Sequence, residues 1–81
     1  YYVTIDIDGF DPSIAAGTGT PSHGGVLYYA VLGFLDGLTR RGNIVGVDLV
    51  EVAPDYDLSG STTTLAAQLL LNLIGRIAEN R

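Results

Sequence analysis

The sequence contains no cysteine and no lysine. Without cysteine the chain can form no disulfide bond, and its composition gives no signal of an oxidising or a reducing compartment. Four arginines carry all the positive side-chain charge, and the formal net charge is −5. Because nucleic acids and anionic membrane surfaces are bound through clusters of basic side chains, this balance argues against both as partners.

Long apolar runs are also missing. The longest covers residues 26–35 and ends at Asp36, whereas a helix needs about 20 apolar residues to cross a bilayer. The chain begins with a strand-like segment and has no charged region followed by a cleavage site, so we expect no signal peptide and a cytoplasmic location. A chain of 81 residues that begins inside a strand without methionine is expected to be a fragment.

The spacing of apolar residues predicts two strands and two helices in alternation. Strands are predicted at residues 1–7 and 44–52, and helices at residues 26–41 and 62–80. The order β-loop-α-β-loop-α, with two buried strands, is typical of parallel strands joined by a crossover helix, and therefore of an α/β fold. Since two strands do not form a stable sheet, further strands are expected from outside this sequence.

The two predicted helices differ in their apolar surfaces. The first is apolar on all sides, which predicts burial on several sides. The second has a single apolar stripe, and Ser61 or Thr62 is predicted to cap its N-terminus. The stripe consists of Leu65, Leu69, Leu73 and Ile77.

Seven of the nine acidic residues lie in two short segments, 6–11 and 48–57, each at the C-terminal end of a predicted strand. In a parallel sheet these ends share one edge, where open α/β sheets bind their ligands. If both residues belong to the first strand, Asp6 and Asp8 point to the same face. Asp11 precedes Pro12 and is expected to stabilise a turn.

Two carboxylates as close as Asp6 and Asp8 repel each other unless a cation lies between them. Neither acidic segment contains an arginine, so a metal ion is the expected cation. Carboxylate oxygens suit magnesium, calcium or manganese.

Three other motifs can be compared with this segment. An EF-hand loop that starts at Asp6 would need a polar ligand where Phe10 stands and a glutamate where Gly17 stands, so that motif is excluded. A haloacid-dehalogenase-like phosphatase also has Asp-x-Asp-Gly after a strand, and it stays an alternative although Phe10 and the lack of lysine fit it poorly. The sequence GTGTPSHGG has no Gly-Lys-Ser/Thr and is not a P-loop.

The segment TIDIDGFDPSIAAGTGTPSHGG, residues 4–25, resembles the signature of the ureohydrolases, the family that includes arginase, agmatinase and guanidinobutyrase. That signature joins Asp-x-Asp to a proline, a Gly-Thr-Gly-Thr-Pro loop and a pair of glycines. The family usually has proline where Ala16 stands, and this departure removes no metal ligand. The later segment NIVGVDLVEVAPDYD, residues 43–57, is most similar to agmatinase.

The resemblance implies a three-layer α/β fold with a parallel sheet, in which residues 1–81 form the C-terminal part of a single catalytic domain. It implies that two manganese ions, and the hydroxide that bridges them, hydrolyse a guanidino compound such as agmatine to urea and an amine. Ureohydrolases take their other metal ligands from upstream segments, so the chain alone is expected to be inactive. Family members usually form homo-oligomers.

The resemblance also assigns roles to single residues. Asp6 would bridge both manganese ions as a catalytic residue, and Asp8 would bind one of them. Glu51 would hold the substrate's guanidinium group, and Thr20 is a further candidate for substrate binding. Asp48, inside the second strand, would orient a metal ligand.

Two points stay open at this stage. His23, the only histidine, is expected to lie on a solvent-facing loop, with substrate contact as the alternative. The chain could also be a vestigial or binding module that keeps the motif without the catalysis.

Overall fold

The computed structural model describes residues 1–80, which form a two-stranded parallel sheet and two helices. In chain order the elements are strand β1 (Tyr2–Asp6), helix α1 (Tyr28–Arg41), strand β2 (Gly46–Val50) and helix α2 (Ser61–Glu79). A short 3-10 turn follows each strand, at Ile7–Gly9 and at Pro54–Tyr56. The predicted order is confirmed, and every helix and strand ends within two residues of its predicted bounds.

The parallel pairing of the strands confirms the α/β prediction. The register begins with Tyr2 opposite Gly46 and ends with Asp6 opposite Val50. Helix α1 lies between the two strands in the chain and carries it back to the start of the sheet. The C-terminal ends of both strands therefore lie side by side. This confirms the prediction that the two acidic segments meet at one edge of the sheet.

The core lies between one face of the sheet and the two helices. Val3 and Ile5 of β1 are buried, while Tyr2, Thr4 and Asp6 alternate with them and are exposed. Helix α2 contributes the fully buried Leu69 and Leu73 of the predicted apolar stripe, and the turn after β1 contributes Ile7 and Phe10. Burial of such side chains is the main source of stability, at about 1.5–3 kcal/mol each.

Helix α1 is less buried than its sequence predicts. Within residues 1–80 it buries Leu35 and Thr39, whereas Tyr29 and Phe34 keep 83% and 70% of their surface exposed. The reason is geometric, because the sheet and α2 cover only part of a helix that is apolar on all sides.

Polar contacts join the two helices at their exposed edge. Asp36 of α1 pairs with Arg76 of α2 at 3.4 Å and with Arg40 of its own helix at 3.2 Å. Near the other end, Asn72 donates a hydrogen bond of 2.9 Å to the hydroxyl oxygen of Tyr28. Neither helix of residues 1–80 combines the length and the apolar character needed to cross a membrane.

The N-terminus of α2 differs from the prediction. Gly60 occupies the capping position, with φ of 74°, and offers no side chain. Asp57 instead accepts hydrogen bonds from the N–H groups of Thr62 and Thr63, at 3.1 and 2.8 Å. The prediction of Ser61 or Thr62 as the cap is therefore wrong, because a carboxylate from the preceding turn already satisfies the free N–H groups of the first helical turn.

Candidate functional site

Asp6 is the last residue of β1, and its carboxylate is exposed at the C-terminal edge of the sheet. Its Oδ1 accepts a hydrogen bond of 3.0 Å from the N–H of Asp8, so Asp6 caps the 3-10 turn Ile7–Gly9. The strand has already ended at that point, so strand alternation is not what relates Asp6 to Asp8. The tight turn after the strand brings the two residues together.

Asp8 is half-buried and connects this turn to the glycine-rich loop. Its Oδ2 accepts a hydrogen bond of 2.8 Å from the hydroxyl of Thr20. Three of the residues singled out in the sequence, Asp6, Asp8 and Thr20, thus form one hydrogen-bonded chain.

The loop between these residues is folded by its own backbone contacts. Asp11 accepts a hydrogen bond of 3.1 Å from the N–H of Ser13, which confirms its predicted turn role. Hydrogen bonds from the hydroxyl and the N–H of Ser13 hold the pKa of Asp11 below its usual value. Val26 pairs with Phe10 in a parallel bridge, and this use of its backbone explains why α1 begins two residues later than predicted.

Glu51 follows directly after β2 and is exposed. The register places the preceding Val50 opposite Asp6, so Glu51 leaves the sheet at the same edge. Glu51 has φ of 73°, the only positive φ of a non-glycine residue within residues 1–80. A non-glycine residue in this region costs about 1–3 kcal/mol and persists only where neighbouring structure enforces it.

The neighbouring structure that enforces this conformation is the glycine-rich loop. Val52 and Thr18 form an antiparallel bridge, and the N–H of Ala53 donates a hydrogen bond of 2.8 Å to the carbonyl oxygen of Gly17. Glu51 is therefore connected through the backbone to the loop whose Thr20 contacts Asp8.

Asp48 lies opposite Thr4, two residues before the end of β2, and on the sheet face that also carries Asp6. Its carboxylate accepts hydrogen bonds from the hydroxyls of Tyr2 and Thr4. The hydrogen bond to Asp48, together with the charge of that carboxylate, raises the pKa of Tyr2. The groups that Asp48 orients here are these two hydroxyls, and its action on a metal ligand stays a prediction.

The carboxylates of Asp6 and Asp8 suit a hard metal ion in donor chemistry but are too few to enclose one. Neither forms an ion pair within residues 1–80, whose ion pairs involve only Asp36 and Glu79 as the acidic partners. The same residues contain no group of three or more histidine, cysteine, aspartate or glutamate side chains placed to hold a metal. The pair alone could therefore supply only part of a metal site.

Two residues at the start of α2 were not identified as site residues from the sequence. The hydroxyl oxygen of Thr62 accepts a buried hydrogen bond of 2.9 Å from the N–H of Gly17, and Asp57 holds the first turn of the helix beside it. The sequence places Asp57 among the acidic residues of the sheet edge, whereas in the structure its carboxylate serves the helix N-terminus. His23 is exposed on its loop, as expected.

Comparison with known proteins identifies the relatives of this arrangement. The family described as the arginase family matches residues 1–75. The mitochondrial agmatinase of Gallus gallus is 49% identical over 73 residues, which are 90% of this chain and 21% of that protein. The mitochondrial guanidino acid hydrolase of Homo sapiens is 47% identical over 73 residues, with 90% and 20% covered.

Solved structures show the same similarity. The proclavaminate amidino hydrolase of Streptomyces clavuligerus matches with a TM-score of 0.91 and 41% identity, over 99% of this chain and 26% of that one. The arginase of Bacillus caldovelox matches with a TM-score of 0.83 and 35% identity, over 91% and 25%. The chain spans about a fifth of the length of the curated relatives it matches.

Proposed function

Because the chain belongs to the arginase family of ureohydrolases, we propose that it forms the C-terminal part of a longer enzyme that hydrolyses a guanidino compound to urea and an amine. The observation that carries the proposal is the pair of carboxylates, Asp6 and Asp8, joined to Thr20 at the sheet edge where Glu51 also emerges. Membership of this family argues against the phosphatase alternative.

Asp6 and Asp8 are proposed as ligands of two manganese ions, with the remaining ligands supplied by the rest of the longer protein. Two carboxylates without a counter-ion would repel each other, and a divalent cation removes that repulsion. The chemistry that a bound manganese pair supplies is a water molecule of lowered pKa, which can act as a nucleophile near neutral pH.

Glu51 is proposed to hold the guanidinium group of the substrate. A carboxylate matches the paired N–H donors of this planar cation, and such charge-assisted hydrogen bonds fix both position and orientation. Its place beside the strand end of Asp6 would present the guanidinium carbon to the metal-bearing edge. Thr20, which donates to Asp8, would keep that metal ligand in a fixed orientation and line the same edge.

Agmatine is the first substrate to test. Several relatives at 47–49% identity are named agmatinase. A guanidino acid is the second candidate, because relatives named guanidino acid hydrolase are 47% identical over the same length. We further propose a homo-oligomer that acts on this small substrate in the cytoplasm.

The test uses the full-length protein that contains this chain, assayed for urea release from agmatine with manganese. Asp6→Asn and Asp8→Asn are expected to lose manganese and activity together. Glu51→Gln is expected to keep its manganese and to lose about 100-fold or more in kcat/KM, since removal of one oriented charged contact commonly has this effect. Asp55→Asn, an exposed neighbour of Glu51, is the matched control and should behave as wild type.

Residues 1–81 expressed alone are expected to release no urea. Activity of this chain alone would contradict the assignment of the missing ligands. A full-length protein that binds manganese but hydrolyses neither agmatine nor a guanidino acid would contradict the proposed reaction and favour the binding module.

A further inference from the structure

A buried hydrogen bond connects α2 to the glycine-rich loop of the candidate site. The hydroxyl oxygen of Thr62 accepts it from the N–H of Gly17 at 2.9 Å, and Thr62 is only 1% exposed. The two residues are 45 positions apart in the chain. Loss of the acceptor would leave a buried N–H group without a partner, which is unfavourable, and we expect the loop to move in response.

The loop approaches the helix so closely at this point that only glycine fits. A Cβ atom on Gly17 would lie 2.6 Å from Cβ of Asp57 and 2.9 Å from the hydroxyl oxygen of Thr62. These distances are far below van der Waals contact. The backbone of Gly17 is thus seated directly against the first turn of α2.

Asp57 fixes the other side of this contact. Its carboxylate accepts hydrogen bonds from the N–H groups of Thr62 and Thr63 and from the hydroxyl of Thr63, at 3.1, 2.8 and 2.8 Å. The Thr62 hydroxyl therefore projects from a capped helix end.

From Gly17 the effect of this anchor extends toward both parts of the candidate site. In one direction its carbonyl oxygen accepts the N–H of Ala53, and the adjacent Thr18–Val52 bridge holds the residue that follows Glu51. In the other direction the chain reaches Thr20, whose hydroxyl donates to Asp8.

The loop also contributes the buried Ala15 and the partly buried Ile14 to the core. The hydroxyl of Thr18 is buried, yet it has no hydrogen-bond partner within residues 1–80. The hydrogen bond between the N–H of Gly17 and the hydroxyl of Thr62 is thus the buried polar contact between this loop and α2 within the described residues.

We propose that Thr62 is a positioning residue for the candidate site, because its buried hydroxyl holds Gly17 and thereby sets where Glu51 and Thr20 stand. The inference rests on the proposed ureohydrolase function. Thr62 acts only through the loop, without contact to substrate or metal. Since a displacement of about 1 Å in a group that positions the substrate can cost about 100-fold in rate, the effect on kcat/KM is large although the residue is remote from the chemistry.

The test compares Thr62→Val with Thr62→Ser in the full-length protein. Valine keeps the volume and removes the acceptor, and kcat/KM for the guanidino substrate is expected to fall about 10- to 100-fold. Serine keeps the acceptor and should restore most of the activity. The matched control is Thr64→Val, on the same helical turn, whose hydroxyl bonds only the carbonyl of Gly60.

Further readouts distinguish positioning from a general structural role. Manganese content of Thr62→Val should equal that of wild type, and the loss should appear mainly as a raised KM, because Glu51 holds the substrate. Combined with Glu51→Asp, which keeps a carboxylate, Thr62→Val should cost much less than it does alone, since two residues that act on one contact are non-additive. Additive losses, or a variant as active as Thr64→Val, would overturn the inference.

The outcomes also separate this inference from the proposed function. A wild-type protein that hydrolyses no guanidino compound refutes the function, whereas an active wild type with an unaffected Thr62→Val refutes only the positioning role. If Thr62→Val does not fold, Asp57→Asn weakens the same anchor from the helix side. The Asp57→Asn variant should then raise KM by a smaller factor than expected for Thr62→Val, and an unchanged KM would contradict the proposal.

Discussion

At the scale of single residues, Glu51 combines backbone strain with a proposed chemical role. Its left-handed φ of 73° is unfavourable for a glutamate, and an asparagine or glycine would adopt it more readily. The conformation is maintained by the bridge that joins the next residue, Val52, to Thr18. A carboxylate at this position is therefore consistent with use of the side chain and not with ease of folding.

Asp57 gives a pH-dependent prediction at the same scale. The pKa of Asp57 lies below its usual value. The hydrogen bond from the N–H of Thr63 contributes most to this, and those from the Thr63 hydroxyl and from Thr62 contribute less. A carboxyl with a lowered folded-state pKa stabilises the protein fully above its ordinary pKa of about 3.9, and the contribution is lost as the pH falls through the lower folded value.

We therefore expect Asp57→Ala to be less stable than wild type near neutral pH, with a difference that shrinks as the pH falls below about 4. Urea unfolding of the full-length protein at a series of pH values measures this difference. Asp55→Ala is the control, because the Asp55 side chain makes no hydrogen bond or ion pair within residues 1–80. A difference for Asp57→Ala that grows toward acid pH would contradict the capping role.

At the scale of elements, the interface between α1 and α2 depends on apolar packing more than on its ion pairs. Leu73 is fully buried, whereas the side chain of Arg76, which pairs with Asp36, is 40% exposed. We expect Leu73→Ala to lower the free energy of unfolding by about 2–5 kcal/mol because it opens a cavity in the core. Arg76→Ala should cost less, about 1 kcal/mol, since water partly screens this half-exposed pair and Arg40 still pairs with Asp36.

Urea unfolding of the two variants of the full-length protein checks this order. An Arg76→Ala loss equal to that of Leu73→Ala would mean that the ion pairs, and not the core, hold the helices together.

The elements were predictable from sequence because each has a strong local signal. The run of aromatic and β-branched residues in β1 and the leucine stripe of α2 require no knowledge of the rest of the chain. The ends of the elements were less predictable, because distant contacts determine them. Val26 pairs with Phe10 and so lies outside α1. Val52 pairs with Thr18 of the loop and so lies outside β2, which ends at Val50.

The same distinction applies to the candidate site. The Asp-x-Asp motif was sufficient to predict that Asp6 and Asp8 lie together, while the role of Glu51 stays a prediction. Thr62 was missed because nothing in its local sequence indicates a bond to Gly17, 45 residues away.

At the scale of the whole molecule, large apolar side chains remain exposed on several sides. The most exposed are Leu58, Tyr29, Val45, Leu71 and Phe34, at 101%, 83%, 72%, 72% and 70%. Parallel sheets are normally covered on both faces, and a sheet of two strands is below the usual size for independent stability. The chain spans about a fifth of the length of its relatives. In them, further sequence is available to cover the apolar surface that is exposed here.

We expect residues 1–81 expressed alone to self-associate and to bind a hydrophobic dye, because exposed apolar patches drive both. Analytical ultracentrifugation and dye fluorescence measure this, with the full-length protein as the comparison that should bind little dye. A monomeric chain with a sharp, cooperative unfolding transition would show instead that these residues form a domain by themselves.

The connection from β2 to α2 has one further consequence, for how this protein can diverge. The connection is tied to Gly17 at Ala53 and to the helix end at Asp57, and consecutive turns fill the space between them. A single inserted or deleted residue there would break one tie or shift α2 along its axis. Homologous sequences can therefore differ in composition across residues 53–60, but their length at this connection should stay constant.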